Sequence, residues 1–139
     1  MEQQPYTFVD HTADYAMRAW GADFPRLVEN AATGFIHLMA DVAGLEPTST
    51  IELRVTGDSR EQVLVHALKE LLFLREEGRL PVAVEVLEAD SDTARLRIHL
   101  TSVASARDRL RAGVKAVTYH GLEVTADADG LTAQVVFDT

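Results

Sequence analysis

The 139-residue chain reads as an α+β protein, a two-layer sandwich in which two helices cover one face of a mixed, mostly antiparallel sheet. Three observations predict this. Two segments in the first half carry apolar residues at helical spacing, each opened by a capping side chain. The second half alternates apolar and polar residues in short runs separated by turn residues. The resulting order is strand, helix, strand, helix and then four strands, without a repeat, linker or low-complexity segment, so residues 1–139 form one domain.

The elements follow in order. "YAMRAWG" alternates loosely and stops at Gly21, a strand over about 15–20. Asp23 then offers an N-cap and Pro25 suits a first helical turn. Leu27, Ala31, Phe35, Leu38 and Met39 carry that helix to about Ala40. "IELRV" (51–55) puts Ile51, Leu53 and Val55 on one face of a strand. Ser59 followed by Gln62 is a capping box. Behind it Val63, Leu64, Ala67, Leu68, Leu71, Leu72 and Leu74 form a band wide enough to predict the more deeply buried helix. Val82, Val84 and Val86 alternate, with Ala83 and Leu87 softening the pattern, and Leu96, Ile98 and Leu100 alternate with Arg95, Arg97 and His99. That predicts a hairpin with one solvated face. Residues 101–113 have no period and read as a loop with at most a helical turn. In "VKAVTYHGLEVTA" the parity slips from Val117 and Tyr119 to Leu122 and Val124, which predicts a bulge at Gly121. Asp129-Gly130 is a hairpin signal before the last strand.

Composition narrows the function. Apolar residues make up 47% and charged residues 25%, ordinary for a chain that buries a core. No apolar run is long enough to span a bilayer, and "MEQQPYTFVD" has neither the basic start nor the apolar middle of a signal peptide. With no cysteine there is no disulfide and no thiolate metal site, which fits a cytoplasmic protein. The net charge is −9, and only Lys69 and Lys115 among the 13 basic residues are lysines. An acidic chain without a basic run is a poor nucleic-acid binder by itself, so no stable direct contact with RNA is expected.

Chemistry concentrates in three places. "DHTAD" (10–14) sets carboxylates and an imidazole, His11, at the head of the first strand. Taken alone it has too few oxygen donors for a hard cation and too few nitrogens for zinc, and a turn explains it equally well. The last strand ends in "VVFDT", where Asp138 keeps the polar parity of Thr132 and Gln134, and Thr139 carries the final α-carboxylate. If the first and last strands are neighbours, Asp14, Asp138 and Thr139 would converge on one cation; the competing reading is a solvated tail. In "VKAVTYHGLEV" (114–124) Lys115 is a compact point charge suited to a phosphate or carboxylate, or an ordinary exposed lysine. His120, beside the expected bulge, is open to reading as a ligand, a donor that orients one, or a structural histidine.

Together "DHTADYAMRAWG", "VKAVTYHGLEV" and the final "FDT" resemble the archease family, along nearly the whole chain. The resemblance implies an α+β accessory protein of the tRNA-splicing RNA ligase that is not itself an enzyme. Such a protein would promote guanylylation of the ligase histidine and repeated turnover, joining a 2′,3′-cyclic phosphate or 3′-phosphate end to a 5′-hydroxyl. It also implies a divalent cation, calcium foremost with magnesium or manganese as alternatives, held by Asp14, Asp138 and Thr139. Lys115 takes the place of the family's activating lysine, with His11 and His120 grouped beside it. The pattern departs at Tyr15, where an aliphatic residue is usual, at Thr139, in place of Ile or Val, and in 101–113, which lacks the usual Gly-Glu pair and histidine. Two other readings compete: a stand-alone metal-dependent hydrolase using Asp14, Asp138, His11 and His120, and a chaperone of another RNA enzyme such as a tRNA methyltransferase. "TADADG" (125–130) lacks the later acidic ligand of a calcium loop and reads as a turn, and His37 and His66 read as packing residues on their helices.

Overall fold

The computed structural model describes residues 5–10, 15–111 and 113–139. Among the described residues eight strands fall into two sheets, and every ladder is antiparallel. In the larger, β1 (Tyr6–Asp10) pairs β2 (Tyr15–Gly21), and β2 pairs β8 (Gly130–Asp138). The far edge of β8 is shared by two short strands, β7 (Thr125–Asp127) along 130–132 and β6 (Ala116–Thr118) along 136–138. In the smaller sheet β5 (Thr93–Ser102) lies between β3 (Ser49–Thr56) and β4 (Arg79–Ala89). Helix α1 (Phe24–Met39) packs on β1, β2 and β8 and also on β4; α2 (Arg60–Glu76) packs on β3, β4 and β5 and also on β6. Both helices thus touch both sheets and close one continuous core. The α+β class is as expected, with the strands divided over two sheets.

Local chemistry accounts for the helices. Asp23 accepts the Arg26 N–H at 2.9 Å and Pro25 sits in the first turn of α1. Ser59 accepts the Gln62 N–H at 3.1 Å at the head of α2. The Gln62 side chain reaches back to the N–H of Asp58 at 2.8 Å, one residue before the cap, so the box is closed one position early. Gly34 lets α1 lie against the large sheet: a Cβ there would come within 2.7 Å of both Met17 Sδ and Tyr6 Cγ.

Three expectations need correcting or completing. The apolar lead-in "YTFVD" is strand β1, which the sequence reading left without structure. Residues 101–113 include the end of β5 and a 3-10 turn at Ala104–Arg109. At Gly121 there is a turn and no bulge: β6 ends at Thr118, the Leu122 N–H donates to Tyr119 O at 3.0 Å, and Gly121 takes φ +64. A parity slip marks a turn as readily as a bulge, because both shift the side-chain phase by one residue. Irregularities do occur in β4, between Pro81 and Ala83 and between Val86 and Glu88, where Ala83 and Leu87 had softened the alternation.

Candidate functional site at the end of the large sheet

The strand that follows "DHTAD" and the last strand are neighbours, which is the condition the sequence reading set. Tyr15, the first residue of β2, lies opposite Phe137, the residue before Asp138. On the other side of β8, Ala116 lies opposite Asp138. The Lys115 N–H also donates to Asp138 O at 2.8 Å. The backbone of Lys115, just before β6, is thus tied to the same residue that Ala116 faces in the ladder. Three segments far apart in sequence meet here because β8 is the central partner of both β2 and β6.

The site has a rigid base. Phe137 is fully buried and stacks on Phe35 of α1, ring centroids 5.2 Å apart. Val117, opposite Phe137, is also buried. Asp138, Thr139 and Lys115 emerge exposed from this base. Among the described residues no ion pair joins the Lys115 ammonium to the Asp138 carboxylate.

His120 lies in the turn beyond β6, where its N–H donates to Thr118 Oγ1 at 3.2 Å; Thr118 in turn donates to Val136 O at 3.0 Å. Tyr119 beside it is drawn to α2: the Lys69 ammonium stands 5.1 Å from its ring centre and His66 meets it edge-on at 6.4 Å. Glu61 of α2 accepts the Val124 N–H at 2.8 Å. The turn carrying His120 is thereby held between β8 and α2. His11 and Asp14 lie outside the described residues, as does any cation site that includes them. Among the described residues no group of three or more His, Cys, Asp or Glu side chains could hold a metal. Asp138 supplies hard oxygen donors, the type Ca²⁺ and Mg²⁺ prefer, and is exposed enough to give them to an ion.

Sequence reasoning missed the aromatic wall beside this site. Phe8 and Tyr15 meet at 5.7 Å, Tyr6 meets Phe8 at 5.7 Å, and Tyr6 meets the His37 ring at 5.9 Å. His37 is thus a packing residue with a polar tie: its Nδ1 is 2.5 Å from the Tyr6 hydroxyl. Burial holds the His37 pKa below its ordinary value, the Arg111 guanidinium pushes the same way, and Asp41 opposes. Burial raises the Tyr6 pKa, against Arg111. At neutral pH the tyrosine hydroxyl and the unprotonated imidazole share this bond, with the donor set by the imidazole tautomer. Alternation of Tyr6 and Phe8 was the available signal. His66 is tied to its surroundings too, its Nδ1 2.5 Å from Thr56 O. Asp127 and Asp129 form the expected tight turn before β8, where the Asp129 N–H donates to the Asp127 carboxylate at 2.8 Å.

Comparison with known proteins gives the family and the fold. Residues 6–139 match the Archease protein family (MTH1598/TM1083). A protein archease from Archaeoglobus fulgidus is 32% identical over 136 residues, covering 96% of this chain and 98% of its own. The solution structure of protein 1598 from Methanobacterium thermoautotrophicum superposes with a TM-score of 0.80 at 24% identity, covering 99% of this chain and all of the other. The crystal structure of an archease, described as a possible chaperone, from Thermotoga maritima gives 0.65 at 23% identity, with 94% of each chain covered. At those identities the two structures speak for the fold. The match over almost the entire length and the relative above 30% identity make this chain a member of the archease family.

Proposed function

We propose that this protein is a non-catalytic activator of a GTP-dependent tRNA-splicing RNA ligase. It promotes transfer of GMP to the ligase histidine and lets the ligase turn over repeatedly in tRNA splicing and RNA repair. The observation that carries this reading is the meeting of β2, β6 and β8, which sets Lys115 against Asp138 at one exposed sheet end. In the chain Asp14 precedes Tyr15 and Asp138 follows Phe137, and Tyr15 and Phe137 are partners in the β2–β8 ladder. In this reading Asp14, Asp138 and oxygens of Thr139 hold a divalent cation, calcium foremost. Three residues fall short of the six to eight oxygens calcium takes, which suits an ion completed by water or by groups of the partner. Bound there, the cation would supply charge neutralisation at a phosphate.

The chain's own residues do the rest. Lys115 contributes a compact positive charge beside the acidic pair, suited to a phosphate oxygen. The buried Phe35–Phe137 stack keeps the edge rigid, so little ordering is lost when it enters a partner's cleft. The net charge of −9 favours encounter with a basic RNA-binding partner and disfavours RNA itself. In this reading His11 and His120 act together with Lys115 in activating the ligase.

The test is reconstitution with a cognate ligase, GTP and RNA halves bearing a cyclic phosphate and a 5′-hydroxyl. Product beyond one equivalent of ligase is expected with the wild-type protein. Asp138→Asn and Lys115→Ala are expected to abolish that excess while circular dichroism and thermal melting stay as in wild type. Unchanged stimulation by both variants would refute the assignment. Cleavage of RNA by the isolated protein with Mg²⁺ or Mn²⁺ would favour the hydrolase reading instead.

A further inference from the structure

The two edges of the small sheet differ. Along β4, Pro81 has no N–H to offer, and the ladder shifts register between Pro81 and Ala83 and between Val86 and Glu88. The Val86 N–H donates to the Glu29 carboxylate of α1 at 2.9 Å. These are devices that stop a further strand from adding. Strand β3 has none of them: its register against β5 is unbroken, and Ser49–Thr56 contains no proline, glycine or lysine. The Gly57 N–H donates to Asp92 O at 3.0 Å and continues that register, so β5 takes the backbone groups of the odd-numbered residues. Those of Thr50, Glu52, Arg54 and Thr56 point outward. His66 of α2 takes Thr56 O. Among the described residues the outward N–H and C=O groups of Thr50, Glu52 and Arg54 have no hydrogen-bond partner, and all three residues are exposed.

The side chains of this edge are self-complementary. Antiparallel pairing with a second copy must match outward residues with outward residues, so the two-fold axis passes through a residue position. Centred on Glu52 it sets that carboxylate against its own copy, and centred on Arg54 it does the same to the guanidinium; like charges directly opposite are destabilising. Centred on Leu53 it sets Glu52 against Arg54 on both sides of the axis, Ile51 against Val55, and Leu53 against itself. Arg54 is also short of negative charge within its own chain. It lies directly opposite Arg95, and the two share Glu88 at 4.0 and 3.9 Å. Glu52 in turn shares Arg97 with Glu85, at 3.3 and 3.5 Å. Each of the two edge charges therefore has half a partner inside the chain and a whole one across the axis.

We propose that two copies of this chain pair through the outer edges of β3, antiparallel about Leu53, into a symmetric dimer with one continuous sheet running from β4 of one copy to β4 of the other. Opposed residues in such a ladder exchange both N–H···O bonds, so each Glu52–Arg54 match satisfies every outward backbone group of its two residues. The contact is isologous and closes at two copies, which leaves no β3 edge free for a third. A ladder this short is small beside a standard interface, so the dimer forms with rising concentration and is not obligate. No residue of the candidate site lies on β3, and the pairing does not rest on the activator reading.

Sedimentation equilibrium over a range of concentrations tests this. The mass of the wild-type protein is expected to rise from 15.3 kDa toward twice that value. Glu52→Arg and Arg54→Glu each set like charges across the axis and are expected to weaken self-association at least tenfold. An equimolar mixture of the two variants places arginine opposite glutamate at both matches, so it is expected to associate as tightly as wild type. The chain carrying both substitutions is expected to do the same. Both positions are exposed, and thermal melting checks that each variant folds. Amide exchange by NMR is the second readout: the Glu52 and Arg54 N–H groups are expected to exchange fast in dilute protein and slowly in concentrated protein. A wild-type chain that stays at 15.3 kDa at every concentration overturns the pairing. So does association that the single variants leave unchanged or that their mixture fails to restore. Protection of those two amides by added RNA ligase, with the chain still monomeric, overturns it in favour of a strand from that partner.

Discussion

The buried contact between Phe35 and Phe137 joins α1 to the strand that ends in Asp138, and truncating it tests whether the site has the base described. Phe35 is fully buried and its ring stacks on Phe137 at 5.2 Å with 30° between planes. Phe35→Ala removes the transfer free energy of a buried aromatic side chain, about 1.5–3 kcal/mol. It removes the ring pairing, about 0.5–1.5 kcal/mol. It also leaves a ring-sized void between α1 and β8 that a helix pinned by its own cap closes only in part. The expected loss is about 3–5 kcal/mol, a large share of the roughly 5–15 kcal/mol that holds such a domain folded. With a urea slope of about 1–3 kcal/mol/M, the midpoint falls by roughly 2 M. Trp20, the only tryptophan, lies in β2 beside β8 and reports the transition by fluorescence. Phe73→Ala is the control: that ring is 54% exposed and its removal is expected to cost less than about 1 kcal/mol. A Phe35→Ala loss below about 1 kcal/mol, or one equal to the Phe73→Ala loss, would refute the packing argument and with it the rigidity claimed for the Asp138 edge.

Two further outcomes follow from the aromatic wall and from α1. The folded-state pKa of His37 is depressed, so between that value and 6.5 the unfolded chain binds more protons than the native one. Stability gained from His37 is therefore full above pH 6.5 and is lost as pH falls through the folded-state pKa. Urea midpoints at pH 7.5 and 5.5 are expected to differ less in His37→Asn than in wild type, and a His37 imidazole titrating at or above 6.5 by NMR would contradict this. Gly34→Val is expected to destabilise by about 1–3 kcal/mol, since its Cβ meets Met17 and Tyr6 at 2.7 Å and the packed strands can shift only partly; a raised melting temperature would show that the helix has room to move.

The division between local and distant information runs through particular residues. Both helices were legible because their determinants lie within one turn of one another: Asp23 and Arg26, Ser59 and Gln62. The Asp129-Gly130 turn was legible for the same reason, as was the exposed parity of Asp138. Strand β1 was not, because five residues with a loose pattern become a strand only through pairing with β2. The turn at Gly121 was mistaken for a bulge, since side-chain phase alone does not say whether the ladder continues. The convergence of Asp14, Asp138 and Thr139 was inferred on the condition that the strand after "DHTAD" and the last strand are neighbours, and the pairing of β2 with β8 meets that condition.

The sequence by itself determined the α+β class and the two capped helices, because each depends on side-chain period or on a bond spanning a few residues. Only the tertiary structure decided how the strands divide into two sheets and that Lys115 bonds to Asp138. Hydrogen-bond partners across a sheet come from segments tens of residues apart. Their meeting is set by the burial of the whole core and is not written in any one stretch of chain.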